Sequence, residues 1–397
     1  MLKLKKIEGF LLFLTILFLP TQLGRHFWPE FAFVYSLPID YLSPTIYFWD
    51  VLAITLCIFF ILQKKHINRL ALNLFYFFIL TQTLSLLQNF TNTGSGLVRL
   101  EQYLIAGLFG VYLASSKLSE IRSVIFWALA LSILGESILA IAQFIKAGTL
   151  GLWILGERTF SISTPAIAKF DFHGSEFLRP YATFPHPNVL AAFMIIGILL
   201  IDQLSRKGSL TKTGIFIAAS ATTILSFSRV SIMTLVVVLV SAGKRWIIFA
   251  ALIFLLASPF LYTRYYSLLN FDNLAYFRRE ELLEISLNLF KHYPFFGVGL
   301  NQFIIEASDQ ILVGPNRFLQ PVHNIFLLTL AETGVVGLVG LLGLIGYPVL
   351  RLFKHRTTVL LWGTVLFLGL FDHYFLTLPQ GQRMLFLVWG LTLSVLK

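Results

Sequence analysis

The chain has 397 residues, 57% hydrophobic and only 12% charged, with a mean hydropathy of +0.81. A soluble chain carries about 25% charged residues, so this composition excludes a soluble enzyme and indicates an all-α integral membrane protein. The net charge of +11 is spread through short connections, which fits membrane orientation rather than nucleic-acid binding, and the single cysteine, Cys57, excludes a disulfide framework.

Apolar windows predict about 12 transmembrane helices. They lie near 9–24, 46–62, 70–88, 97–115, 121–146, 188–204, 213–226, 229–242, 246–262, 322–348, 357–371 and 384–396. The even count puts both termini on one side. Connections on that side carry Lys5, Lys6, Lys64, Lys65, Lys117, Lys207, Lys212 and Lys244, whereas the short ones opposite carry Arg25, Arg99, Arg229 and Arg383. By the positive-inside rule the lysine-rich side is cytoplasmic. Two long connections, 147–187 and 263–321, then face outside. They hold Trp153, Phe160, Phe172, Phe295 and Phe296, so they are not low-complexity, and loops of this length are commonly functional. In the second, "AYFRREELLEISLNLFK" (275–291) predicts an amphipathic helix at the membrane surface, with Leu282, Leu283, Leu287, Leu289 and Phe290 among charges. No internal repeat is evident, and residues 1–397 read as a single polytopic domain.

The basic residues assigned outside are mostly arginine. Guanidinium is preferred where a phosphate or carboxylate is gripped bidentately. Arg229 lies in "LSFSRVS", a tight turn beside Ser226, Ser228 and Ser231. It serves either as an interfacial anchor or as the ligand of an anionic head group. Arg179, Arg278 and Arg279 extend the second reading to the long connections. In "RPYATFPHPN" (179–188), three prolines stiffen the approach to a helix that Asn188 is placed to cap. That end is either a plain cap or an anion site, and His186 is open to either reading.

"VHNIFLLTLAETG" (322–334) places His323 and Asn324 at the outer end of a span. There a histidine is wet enough to take a proton from a hydroxyl. Glu332, nine residues on, falls on roughly the opposite face and about 13 Å deeper. It reads as a structural polar link within the bundle, with Gly334, Gly337, Gly340, Gly343 and Gly346 allowing close packing around it. No GxxxxGK, HExxH or outer Asp-x-Asp motif occurs, so neither a nucleotide, another cofactor nor a dedicated metal site is expected.

Four motifs, "RPYATFPHPNVLAAF", "SFSRVSIMTL", "HYPFFGVGLNQF" and "HNIFLLTLAETGVVGLVGLL", occur in the order and topology of the O-antigen ligase and polymerase superfamily. The chain resembles that superfamily over residues 175–380, and "FDHYFLTLPQGQ" (371–382) is similar to the last outer loop of many members. The resemblance implies a multi-pass enzyme of the cytoplasmic (inner) membrane with its active site facing outside. Such enzymes pass a glycan from a polyprenyl-diphosphate carrier to an acceptor hydroxyl without metal. It implies that Arg229 and Arg279, with Arg278 as close second, hold the diphosphate. His323 would be the base, with Arg179, Asn188 and Asn324 lining the pocket. Ala182-Thr183-Phe184 stands where many members have Gly-Thr-Phe. The implied partners are a lipid-linked glycan donor, a glycan, lipid or protein hydroxyl acceptor, and membrane lipid; nucleic acid is not among them. One displacement implies inversion. Two alternatives are a polymerase that extends a lipid-linked repeat and a transporter of an anionic solute. The latter would use Glu101, Glu136 and Glu332 along a midplane path.

Overall fold

A computed structural model describes residues 2–88, 93–172, 174–205, 210–269, 274–310, 319–351 and 355–395. Lys207 and two stretches of the second long connection, 270–273 and 311–318, lie outside the described residues. Most of the chain is helical. In order the helices are α1 (Leu2–Leu17), α2 (Phe48–Leu62), α3 (Arg69–Ser85), α4 (Thr93–Ser115) and α5 (Leu118–Lys146). Then come α6 (Pro187–Leu204), α7 (Leu210–Leu225), α8 (Arg229–Ser241), α9 (Lys244–Leu269) and α10 (Leu274–His292). The last are α11 (Phe303–Ala307), α12 (Ile325–Arg351), α13 (Arg356–Phe371), α14 (Tyr374–Thr377) and α15 (Pro379–Val395). The described strands form three short antiparallel pairs: β1 (Gly24–His26) with β4 (Thr45–Tyr47), β2 (Phe33–Val34) with β3 (Leu37–Pro38), and β5 (Lys169–Phe172) with β6 (Ser175–Leu178).

A helix stands at every segment predicted to span. The five built on Arg69–Gln88, Thr93–Ser115, Leu118–Lys146, Pro187–Leu204 and Ile325–Arg351 are long and apolar enough to cross a membrane; α2, α7, α8 and α13 are shorter apolar helices. The first helix is displaced: α1 ends at Leu17, before Pro20, and Gly24 opens a strand instead of closing a span. Proline lacks the amide that a helix interior needs, so apolar content alone overextended the predicted segment.

The chain divides into two compact units. The first comprises 1–23, 121–273 and 363–368. Its centre is α6, apolar on all sides and buried almost throughout from Val189 to Ile201, with α7 and α8 packed on it and α9 on α8. A helix with no polar face needs neighbours all round.

The second unit comprises 24–120, 274–362 and 369–397. Here α4 packs on α15, and a Cβ added at Gly390 would run into the Gly110 carbonyl, so the two backbones touch at small residues. α12 packs on α3, where Gly340 meets Thr81, whereas Gly346 faces open space. The apolar stripe of α10 is Leu282, Ile285 and Leu289, which enter one core with Leu328 and Ala331 of α12. Leu283 and Leu287 lie off that stripe and face outward. The expected surface helix is thus seated on protein along one face, because Ile285 shares the helical side of Leu282 and Leu289 and the other leucines do not.

Candidate functional site

The sharpest feature of the second unit is at the head of α12. Asn324 caps the helix, its Oδ1 accepting from the amides of Phe326 (2.9 Å) and Leu327 (3.0 Å), while its Nδ2 donates to the Leu370 carbonyl at 3.2 Å. His323, immediately before it, is thereby held at a helix start, its side chain 19% exposed. Its Nδ1 lies 3.6 Å from Oδ1 of Asp372 and makes no hydrogen bond among the described residues. The same carboxylate oxygen accepts from the His373 amide at 2.8 Å, and His373 Nε2 is 3.9 Å from it. The His323 and His373 rings lie 5.1 Å apart. Thr377, one helical turn on, bonds His373 Nδ1 at 2.6 Å. Burial, reinforced by the Asp372 carboxylate, pushes the Tyr374 hydroxyl well above the usual tyrosine range, so it stays protonated and offers no base.

Asp372, His373 and Thr377 all fall within "FDHYFLTLPQGQ", a stretch whose apolar neighbours give them no site pattern of their own. The available signal was His373 and Thr377, four residues apart and therefore on one side of a helical turn.

Glu332 is explained by a break in α12. Gly334 has φ 63 and ψ −164, a backbone conformation essentially restricted to glycine. The carbonyls and amides released there pair with the segment before α11. Val298 N donates to the Ala331 carbonyl and Gly299 N to that of Glu332, both at 2.9 Å; Val335 N donates to the Pro294 carbonyl at 2.9 Å. The Glu332 carboxylate accepts from Phe303 N at 3.4 Å. The polar link expected of Glu332 therefore runs from its carboxylate to the start of α11 and from its backbone to the segment before it, and the motifs "HYPFFGVGLNQF" and "AETG" are two halves of one interlock.

In the first unit, Arg179 and Asn188 meet. Arg179, 7% exposed, donates from Nε to the Ser226 carbonyl (2.6 Å) and from Nη2 to Asn188 Oδ1 (2.7 Å). The cap of α6 is His186, whose Nδ1 accepts from Asn188 N at 3.2 Å, not Asn188 as expected. Pro187 is the reason: without an amide it fits the first helical position, which makes His186 the cap, two residues before Asn188. Arg229 opens α8 directly after Ser228, half-buried, next to the turn whose Ser226 carbonyl Arg179 holds.

The approach to α6 is fixed from α5. Glu136 accepts from the Thr183 amide (2.9 Å) and hydroxyl (2.7 Å). Gln143 Oε1 accepts from Tyr181 N (3.0 Å) and Ala182 N (2.7 Å). Those bonds hold Ala182 at φ 50, a left-handed bend that alanine adopts only at a cost. Burial raises the Tyr181 hydroxyl, which remains a neutral acceptor for the Ala168 amide at 2.9 Å.

Arg278 and Arg279 lie near the start of α10, Arg278 part-buried on the side that continues the Leu282 stripe and Arg279 exposed. Two arginines expected in short connections are instead buried in helices. Arg99, 2% exposed, donates to Asn301 Oδ1 at 2.8 Å and to the Leu376 carbonyl. Arg383, 1% exposed, lies 3.7 Å from Asp50 and over the rings of Tyr47 and Trp49. Each is a clamp within the second unit, an arrangement that loop counting on sequence does not register.

Arg179, Asn188 and Arg229 thus belong to the first unit, and Arg278, Arg279, His323, Asn324 and Glu332 to the second. Comparison with protein families gives a match to the model for O-antigen ligase over residues 209–342. That match supports membership of the O-antigen ligase superfamily. The matched region contains Arg229, Arg278, Arg279, His323, Asn324 and Glu332, and stops short of Arg179 on one side and Asp372 on the other. No curated protein matches the chain. The O-antigen ligase family, with the apolar helices, supports a multi-pass membrane protein that transfers glycan in the manner of a ligase or polymerase.

Proposed function

We propose that the protein transfers a glycan from a polyprenyl-diphosphate carrier to an acceptor hydroxyl at the outer face of the cytoplasmic membrane, as a ligase. The observation that carries this reading is His323, presented at a capped helix start with Asp372 beside its Nδ1, inside the region matching O-antigen ligase. Asp372 favours the proton on Nδ1, which leaves Nε2 to accept the proton of the incoming hydroxyl. Arg229 and Arg279, with Arg278, are assigned to the departing diphosphate. Their fixed charge stabilises the leaving group, so that transfer needs no metal and proceeds in one inverting displacement. Arg179 is assigned to positioning, since it fixes the Ser226 turn and Asn188.

Two of the three carboxylates that a transporter would use are engaged within their own units. Glu136 accepts from Thr183 and Glu332 from the Phe303 amide at the start of α11, so neither is a carboxylate open along a path.

The test incubates purified protein in detergent, with chelator, with a polyprenyl-diphosphate-linked oligosaccharide and candidate acceptors. Chelator-resistant transfer that His323→Ala and Arg229→Ala lower by about a hundredfold or more is expected. Normal transfer by His323→Ala removes the assigned base, and a ladder of product lengths replaces the ligase with a polymerase. Inversion is read from the anomeric configuration of the product.

A further inference from the structure

The His323 cluster contains more than an assigned base and its acid partner. One donor atom from each of His323, Asp372 and His373 lies within 4.8 Å of the other two. Two imidazoles and one carboxylate are a donor set suited to zinc and related first-row cations. We propose that this cluster binds a divalent cation of zinc type and that occupancy inhibits glycan transfer.

Three observations carry the site. First, the separations are short: 3.6 Å from His323 Nδ1 and 3.9 Å from His373 Nε2 to the same oxygen of Asp372. Zinc bonds of about 2.0–2.2 Å in a tetrahedron put ligand atoms about 3.3 Å apart, so small side-chain rotations close the cluster. Second, His373 is oriented for ligation. Thr377 Oγ1 lies 2.6 Å from His373 Nδ1 and 3.2 Å from the His373 carbonyl, to which its hydroxyl can donate while it accepts from Nδ1–H. With the ring proton on Nδ1 the Nε2 lone pair is left on the Asp372 side, 3.9 Å from its Oδ1, the outer-shell arrangement typical of a metal-binding histidine. Third, His323 Nδ1 is a buried nitrogen with no hydrogen bond among the described residues, and it points at the same carboxylate. The backbone holds all three: Asn324 caps the helix behind His323, and the His373 amide binds the Asp372 carboxylate.

The inhibitory half rests on His323 being the acceptor base. A neutral imidazole carries one ring proton. When Nδ1 ligates a cation, that proton resides on Nε2, so the lone pair needed by the incoming hydroxyl is lost without any net proton release. The cation therefore switches the ring from base to donor.

The test uses the full chain with a histidine-free affinity tag, in detergent. It is titrated with cobalt(II) chloride, read by visible absorption, and with zinc chloride, read by calorimetry and by transfer from a lipid-diphosphate-linked glycan. Wild type is expected to give cobalt ligand-field bands that Asp372→Asn and His373→Gln remove. Zinc is expected to inhibit transfer at the concentration where it binds, with recovery on adding chelator. His373→Gln is expected to keep its transfer activity while its inhibition midpoint rises at least about tenfold. Should His373→Gln fail to fold, Thr377→Val leaves the ligands in place and weakens cobalt binding by releasing the His373 tautomer. Neither bands nor heat in wild type overturns the cation site and leaves the transfer reading standing. Binding without inhibition overturns the inhibitory half. Metal-free wild type that transfers from no donor overturns the transfer reading instead, while the cobalt spectrum still reports on the site.

Discussion

The assigned chemistry turns on which nitrogen of His323 carries its proton. Asp372 faces Nδ1 at 3.6 Å, too far for a hydrogen bond but close enough to bias the tautomer electrostatically. Losing the base removes general-base catalysis, worth about 10²–10⁴-fold, and losing only its bias removes part of that. His323→Ala is therefore expected to lower kcat by that range, and Asp372→Asn by about tenfold to a hundredfold with KM for the donor little changed. Single-turnover consumption of the lipid-linked donor measures both. Equal losses in kcat and donor affinity in Asp372→Asn would move the carboxylate from positioning to binding. A second prediction concerns Arg179, whose Nε and Nη2 reach two partners that a lysine ammonium cannot span in the same geometry. Arg179→Lys is expected to cost about 1.5–3 kcal/mol, read as a lowered melting temperature in detergent, because it leaves a buried carbonyl or Asn188 unsatisfied.

At this scale the sequence displays part of the site and hides the rest for a definable reason. His323 and Asn324 were legible because a polar pair at the start of an apolar run needs an explanation. Asp372 and His373 were not, because the chain brings them to His323 from the other side of α13, and no spacing encodes that approach. Glu332 was legible as a link, but its partner, the 294–303 segment, is irregular backbone that apolar periodicity cannot locate. Arg99 and Arg383 show the opposite error: isolated arginines beside apolar runs were placed in connections, whereas Asn301, Asp50 and two aromatic rings make burial tolerable.

At the scale of elements, the break in α12 joins two distant motifs. The added Cβ of an alanine at Gly334 would overlap the Phe295 carbonyl, and φ 63 with ψ −164 is unfavourable for any side chain. Gly334→Ala is expected to cost at least about 3 kcal/mol or to prevent folding, whereas Gly346→Ala, with open space around its Cβ, changes stability by less than about 0.5 kcal/mol. Thermal unfolding of the two variants side by side separates local strain from a general intolerance of α12. α10 makes a parallel case. Leu289→Ala, in the core shared with α12, is expected to lose about 2–5 kcal/mol, and Leu283→Ala, exposed on the other side, far less. Equal losses would mean that the outward leucines also face protein.

For the whole molecule, the decisive expectation is sidedness. The transfer chemistry is assigned outside, and the lysine-rich connections inside, by charge asymmetry alone. A single native cysteine makes this testable with little disturbance. In a Cys57→Ser background, Trp153→Cys places a thiol in the first long connection, where the native side chain is 69% exposed, and His66→Cys places one between α2 and α3. A membrane-impermeant maleimide applied from outside is expected to label residue 153 at once and residue 66 only after the membrane is opened. The reverse pattern would put the α12 start and its histidine on the cytoplasmic side. An extracytoplasmic transfer would then be untenable, whatever the activity of the purified protein.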